Sequence, residues 1–305
     1  MGGSGGGYFP RAKPDLERLI QESKREADRE RLDSDVNQLL REVLATFERD
    51  PEQVQKHLEE VGEILKDEAD MESFLFGGSV AKHTYVDGLS DVDALVILKR
   101  EDLAGKSPQA VLNAFHRSLQ DRLTYDSIES IERGTLAVTI TFRDGMKIQL
   151  LPALRAGGKV IIPDSGAKAW KETDPRAFKK ALTRANERVN NSLIPTIKIM
   201  KSINDGFPRQ RRLEGYHIEA LALEGVKGYR GPATVKALLL HIFEAASKRV
   251  LHPINDVTGQ SRVLDPYLGK ANSTERRIAA ESLAGVARKL SAASAVDQWK
   301  AILQD

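Results

Sequence analysis

Cysteine is absent from all 305 residues, which removes disulfides and thiolate metal sites and suits a reducing cytoplasm. No apolar run approaches the ~18 residues that a membrane-spanning helix needs, and the start of the chain lacks a signal-peptide core. Surplus charge is also scarce. With 46 Lys and Arg against 44 Asp and Glu, the formal charge is only +2, so bulk electrostatics does not mark a nucleic-acid binder. A local basic groove stays open. Low complexity is confined to the opening Met1-Gly2-Gly3-Ser4-Gly5-Gly6-Gly7. That stretch reads as part of a flexible linker over residues 1–13, and not as a phosphate loop, because no strand precedes it.

What remains is ordinary globular material, 41% hydrophobic and 30% charged, long enough for one large domain or two intimate ones. Residues 14–50 repeat apolar positions at helical spacing (Leu16, Leu19, Ile20, then Val36, Leu39, Leu40, Val43, Leu44) among dense charges. Pro51 opens a second helix carrying Val54, Leu58, Val61, Ile64 and Leu65. These helices fill a segment 14–70. Within a following segment, 71–165, strands are expected over residues 74–76, 91–98, 127–131, 135–142 and 146–151, with a helix over 108–123. Arg143-Asp144-Gly145 signals a hairpin between the last two strands. From 166 to 305 the pattern is helical, over residues 175–204, 215–223, 234–250 and 274–304. Helical leader, mixed sheet, helical second half: the fold class is α+β rather than a repeating βαβ wind.

The chemistry-bearing segment is Gly77-Gly78-Ser79, then a spacer, then Asp91-Val92-Asp93-Ala94. Phosphoryl transfer needs positioning and charge cancellation more than covalent help. Gly78 and Ser79 stand where a strand yields to a helix, so backbone N–H groups and a helix dipole converge there and suit a phosphate. Most Gly-Gly-Ser turns are only turns. Asp91 and Asp93 alternate with apolar residues along a strand, which sends both carboxylates to one face and Val92 and Ala94 to the other. Two adjacent carboxylates repel unless a cation joins them, and hard divalent ions prefer oxygen. An Asp-x-Asp at a strand end is commonly a solvent-facing pair; coupled to the glycine turn and an apolar strand, the catalytic reading prevails.

The spacing of these motifs resembles the DNA-polymerase-β nucleotidyltransferase superfamily. Within it the chain is similar to the bacterial relatives of cyclic GMP-AMP synthase and oligoadenylate synthase, the CD-NTases of CBASS anti-phage operons. Thr84, Gly88-Leu89-Ser90 before Asp91, Met146 to Ala153 (MKIQLLPA), Trp170 with Thr173-Asp174-Pro175, Ser192 to Lys201 and Gly215-Tyr216-His217-Ile218-Glu219 extend the likeness from about residue 70 to 300. The resemblance implies a polymerase-β-like mixed sheet packed with a helical C-terminal lobe and the N-terminal helices. It implies a Mg²⁺-dependent enzyme, with Mn²⁺ as an alternative, that joins NTP or dNTP substrates into a cyclic or short linear oligonucleotide messenger. An operon-encoded effector or regulatory protein is an implied partner, and nothing in the residues calls for a nucleic-acid activator.

By the same resemblance Asp91 and Asp93 are catalytic metal ligands, Gly78 and Ser79 hold phosphate, and Lys198 and Lys201 reach the triphosphate from one helix face. A solvated basic face competes evenly with that reading for Lys201 and less strongly for Lys198. Tyr216 is divided between stacking on a base and packing as a buried ring. His217 and Glu219 are read as structural, and Trp170 as a hinge-packing residue between the two halves. One departure matters. The third carboxylate of the family's metal site corresponds to Gln149, and two divalent ions ~4 Å apart repel by roughly 16 kcal/mol at an effective dielectric near 20. Three readings follow: charge supplied from elsewhere, with Asp144 or an incoming phosphate as sources; a nucleotide-binding regulator that transfers poorly; or a substituted, inactivated enzyme.

Overall fold

In the computed structural model the described residues are 13–47, 51–66, 71–76, 84, 92–98, 105–122, 126–156, 159–164, 167–174, 176–255 and 263–304. The expected linker therefore lies outside them, apart from Lys13, which opens α1. Helix α1 (Lys13–Ala45) is exposed through its first half and buried through its second. The division follows the sequence: between residues 21 and 31 the only aliphatic side chain is Ala27, whereas Val36 and Leu40 are fully buried among partly buried Leu32, Leu39, Val43 and Leu44. Helix α2 (Pro51–Lys66) follows as expected, placing Leu58 and Val61 against the sheet.

The sheet comprises β1 (Met71–Phe76), β2 (Val92–Leu98), β3 (Ile128–Arg133), β4 (Val138–Phe142), β5 (Lys147–Ala156), β6 (Lys159–Pro163) and β7 (Trp170–Thr173), with α3 (Pro108–Arg122) crossing between β2 and β3. Their order is β1-β2-β5-β4-β3, and β6 and β7 continue from the far half of β5. Only β2 and β5 run parallel among the described pairs; the rest are antiparallel. A strand buried on both faces needs apolar residues at every position, and β2 has them from Ala94 to Leu98. Ala94, Val96 and Leu98 join the cluster under α2 and α3, while Leu95 and Ile97 join a smaller one with Ala153 and Ile162 on the opposite face.

Several boundaries differ from the sequence expectation. Strand β1 begins at Met71, β5 continues to Ala156, and β6 and β7 extend the sheet into a stretch expected to be loop and helix. Trp170 packs on the main sheet cluster and donates from Nε1 to Lys106 O at 3.1 Å, so it fastens the sheet instead of forming a hinge. The long helix expected over 175–204 is two helices, α4 (Ala177–Arg188) and α5 (Leu193–Asp205). Asn190 and Asn191 break it at positive φ, a conformation asparagine tolerates. The Asn186 Oδ1 then accepts from Ile194 N at 2.9 Å and restarts the next helix.

The C-terminal helices are α6 (Gly215–Gly225), α7 (Val235–Arg249), α8 (Thr274–Ala292) and α9 (Val296–Gln304). They enclose a second large cluster that also takes in Val36 and Leu40 of α1, so both ends of the chain build one helical body. No helix among the described residues is long and apolar enough to cross a membrane.

Candidate active site

The parallel pairing of β2 with β5 sets the centre of the site. Asp93 is in register with Gln149, and Gln149 is in register with Thr139 on its other side. Register partners lie ~4.8 Å apart and share a face of the sheet. By alternation this is the face that Leu95 and Ile97 occupy, away from α2 and α3. At the start of β2 the register row Asp93, Gln149, Thr139 is polar in sequence where the rows after it are apolar. Gly78, Ser79 and Asp91 lie outside the described residues.

Asp144, a possible substitute for the missing carboxylate, is committed elsewhere. Its Oδ1 accepts from Met146 N at 2.9 Å and its Oδ2 lies 2.8 Å from His57 Nε2. His57 is buried on α2, stacked on Phe142 with ring centroids 3.9 Å apart. Phe142 belongs to the cluster on the α2 side, so Asp144 is drawn toward the face opposite Gln149. Charge compensation from this turn is not what the structure offers.

From the helical body, α5 and α6 reach the segment that precedes β2. Lys201 is 6% exposed, and its Nζ donates to Thr84 O at 3.0 Å and to Glu219 Oε1 at 2.8 Å. The Thr84 hydroxyl donates to the same Glu219 oxygen at 2.5 Å, with Thr84 fully buried. Lys201 is therefore neither a solvated cation nor an uncommitted one. Its charge is matched by a carboxylate and its position is fixed by the chain between Ser79 and Asp91. Glu219, buried and bonded to both Lys201 and Thr84, supports the fold.

Lys198 is half-buried one turn earlier on α5, and its side chain makes no hydrogen bond or ion pair with the described residues. Tyr216 is half-buried at the start of α6, its ring tilted against Phe178 with centroids 4.8 Å apart. A Cβ added at neighbouring Gly215 would meet Lys201 Cε at 3.5 Å, an ordinary contact. Thr139 and the role of Thr84 as an anchor were not singled out by the sequence. Alternation along β4 was the available signal for the first. The second depends on contacts between residues 117 apart in the chain, for which no local signal exists.

Behind α6 lies a buried polar knot. Arg276 donates to Asp265 Oδ2 at 2.7 Å, to Val250 O at 2.9 Å and to Gly269 O at 3.0 Å. His217 Nδ1 is 2.8 Å from the Tyr267 hydroxyl, and its Nε2 is 3.3 Å from Asp265 Oδ2 without hydrogen-bond geometry. Burial pulls the His217 imidazole down to about 4, with Arg276 and Arg249 adding to the effect and Asp265 opposing it. Burial alone would raise Asp265, but the Arg276 guanidinium and the Ile254 N–H hold its carboxyl below the usual range. His217 is thus a neutral structural histidine.

Comparison with known proteins adds the following. The family described as Second Messenger Oligonucleotide or Dinucleotide Synthetase domain matches residues 31–186. E. coli MS115-1 CdnC with ATP shares the fold at a TM-score of 0.64 and 14% identity, over 83% of this chain and 90% of that one. The same CdnC in a complex with HORMA-deltaN gives 0.62 and 13%, over 83% and 89%. Vibrio cholerae DncV, a cyclic AMP-GMP synthase and prokaryotic cGAS homolog, gives 0.57 and 13%, over 91% and 85%. No curated protein sequence matches.

Proposed function

The chain belongs to the Second Messenger Oligonucleotide or Dinucleotide Synthetase family, and from that premise we propose that it joins nucleoside triphosphates by attack of a ribose hydroxyl on an α-phosphate, releasing pyrophosphate. The product is a cyclic or short linear oligonucleotide, and the setting is cytoplasmic anti-phage signalling with an operon-encoded partner. The observation that carries this reading is the register of Asp93 with Gln149 at the polar end of the β2–β5 pair.

The donor set fits a hard divalent cation: Asp91 and Asp93 bring carboxylates and Gln149 a neutral amide oxygen, all of the oxygen type that Mg²⁺ prefers. These three residues would hold Mg²⁺, which when bound offsets charge on the triphosphate and on the attacking oxygen. Mn²⁺ satisfies the same donors. Gly78 and Ser79 would seat phosphate oxygens through backbone N–H groups and a hydroxyl. Lys198 adds a cation that has no partner among the described residues, Lys201 acts through Thr84, and Tyr216 borders the base. Replacing the third carboxylate by Gln149 leaves one negative charge fewer to stabilise metal and one base fewer for the attacking hydroxyl. Slow turnover is the consequence.

The test is incubation with labelled NTPs and dNTPs in Mg²⁺ or Mn²⁺, comparing the native chain, Asp91→Ala/Asp93→Ala and Gln149→Asp. We expect a low native rate, none for the double variant, and a rise of ten-fold or more for Gln149→Asp. That rise corresponds to about 1.4 kcal/mol of barrier. Nucleotide binding without product in every chain would make the protein a nucleotide-binding regulator. Equal product from the native and double-alanine chains would remove the catalytic assignment.

A further inference from the structure

Helix α4 divides cleanly by burial. Phe178, Leu182, Ala185 and Asn186 face the helical body, while Arg176 at its N-cap and Lys179, Lys180, Thr183, Arg184, Glu187 and Arg188 are exposed. Arg176, Lys180, Arg184 and Arg188 recur every fourth residue. At ~1.5 Å of rise per residue they form a row of cations ~6 Å apart and ~18 Å long, drifting slowly around the helix. None of the five cations makes a side-chain hydrogen bond or ion pair with the described residues, and Glu187 is the one acid on the face. Residues 168–188 hold seven Lys or Arg against three Asp or Glu, in a chain that is otherwise close to charge balance.

We propose that this face of α4 binds the phosphate backbone of a nucleic-acid duplex. Charge complementarity selects a polyanion, and the side chains that are missing select which one. The exposed large hydrophobic residues among those described are Leu16, Leu19, Ile20, Tyr267 and Ile278, none of them on α4. A protein interface has an aromatic-rich, charge-poor centre. A membrane-surface helix needs apolar side chains to insert, and single strands need aromatic platforms for their bases. A row of Lys and Arg with one hydroxyl offers none of these. It suffices for a duplex backbone, where affinity comes from neutralised phosphates and released counterions. Duplex RNA and duplex DNA present the same chemistry, and the experiment separates them.

The full chain is titrated with labelled duplex RNA and, separately, duplex DNA at a series of salt concentrations. Four phosphate contacts predict a slope of about −4 in log K against log salt for at least one of them. Lys180→Gln/Arg184→Gln/Arg188→Gln is expected to reduce that slope by about 3 and the affinity at low salt by a hundred-fold or more. Arg230→Gln/Arg288→Gln/Lys300→Gln removes the same charge from exposed positions elsewhere and should leave the slope unchanged. All six positions are exposed, so melting temperatures should match and differences in binding are not differences in folding. Equal loss in both triple variants would overturn the site in favour of bulk charge. So would absence of duplex binding, binding of single strands as tightly as duplex, or capture of polyglutamate or anionic vesicles through Lys180, Arg184 and Arg188 in place of duplex.

Discussion

A buried ammonium that already faces a carboxylate has little charge left to offer a triphosphate. Lys201 and Glu219, at 6% and 1% exposure, are of this kind, and they share Thr84 as a third member. Removing one partner strands the other, at a cost of about 3–5 kcal/mol, whereas replacing both by apolar residues is often close to neutral. Lys201→Met and Glu219→Gln should therefore each lower the melting temperature, and Lys201→Met/Glu219→Leu should recover most of the loss. Lys198→Met should leave stability unchanged and weaken ATP binding by about ten-fold, the worth of one charge-assisted hydrogen bond. The opposite pattern, with Lys201→Met stable but unable to bind ATP, would return Lys201 to the triphosphate. Residue types and spacing singled out Asp91 and Asp93 as a pair, and the family resemblance added Gln149. They could not distinguish Lys198 from Lys201, because the two share a helix face and differ only in what packs against them.

At the scale of elements, turn chemistry was the most readable feature. Asp144-Gly145 was expected to close a hairpin and does so, with Gly145 N donating to Phe142 O at 2.9 Å and Gly145 at φ +84. Nothing lies within 4 Å of a Cβ added there, so Gly145→Ala pays only for left-handed backbone, about 1–2 kcal/mol. That loss should appear in the denaturant midpoint with the slope unchanged. A variant as stable as the native chain would mean the turn relaxes freely. The hairpin sets the start of β5 and hence the register that brings Gln149 beside Asp93, so nucleotide affinity should fall with it. Strands β6 and β7 escaped notice for an equally physical reason. They are five and four residues long, and β7 reads Trp-Lys-Glu-Thr, with no apolar alternation to announce a strand. Pairing of β6 with β5 and of β7 with β6, not local preference, makes them strands.

The helical body is one cooperative unit because α1 and α4 to α9 share a single apolar cluster, and its weak point in acid is the knot behind α6. His217 is held neutral there, its pKa about 4 against an ordinary 6.5. Between those values the unfolded chain binds a proton that the native chain refuses, so stability rises with pH across the window and is lost as pH falls from about 6.5 toward 4. Asp265, depressed by Arg276, pushes the same way at still lower pH, while Glu214, raised by burial, opposes it over the carboxylate range. A difference of about two and a half pH units at His217 amounts to on the order of 3 kcal/mol, a large share of the 5–15 kcal/mol that keeps a typical domain folded. The melting temperature should accordingly be flat above pH 7 and fall steadily from pH 6.5 to 4. His217→Gln keeps a polar side chain beside the Tyr267 hydroxyl but cannot take up the proton, so its melting temperature should lose most of that slope. If the slope persists in the variant, acid sensitivity resides in carboxylates elsewhere. If it disappears, one imidazole in the helical body sets the lower pH limit of the fold on which the nucleotide site depends.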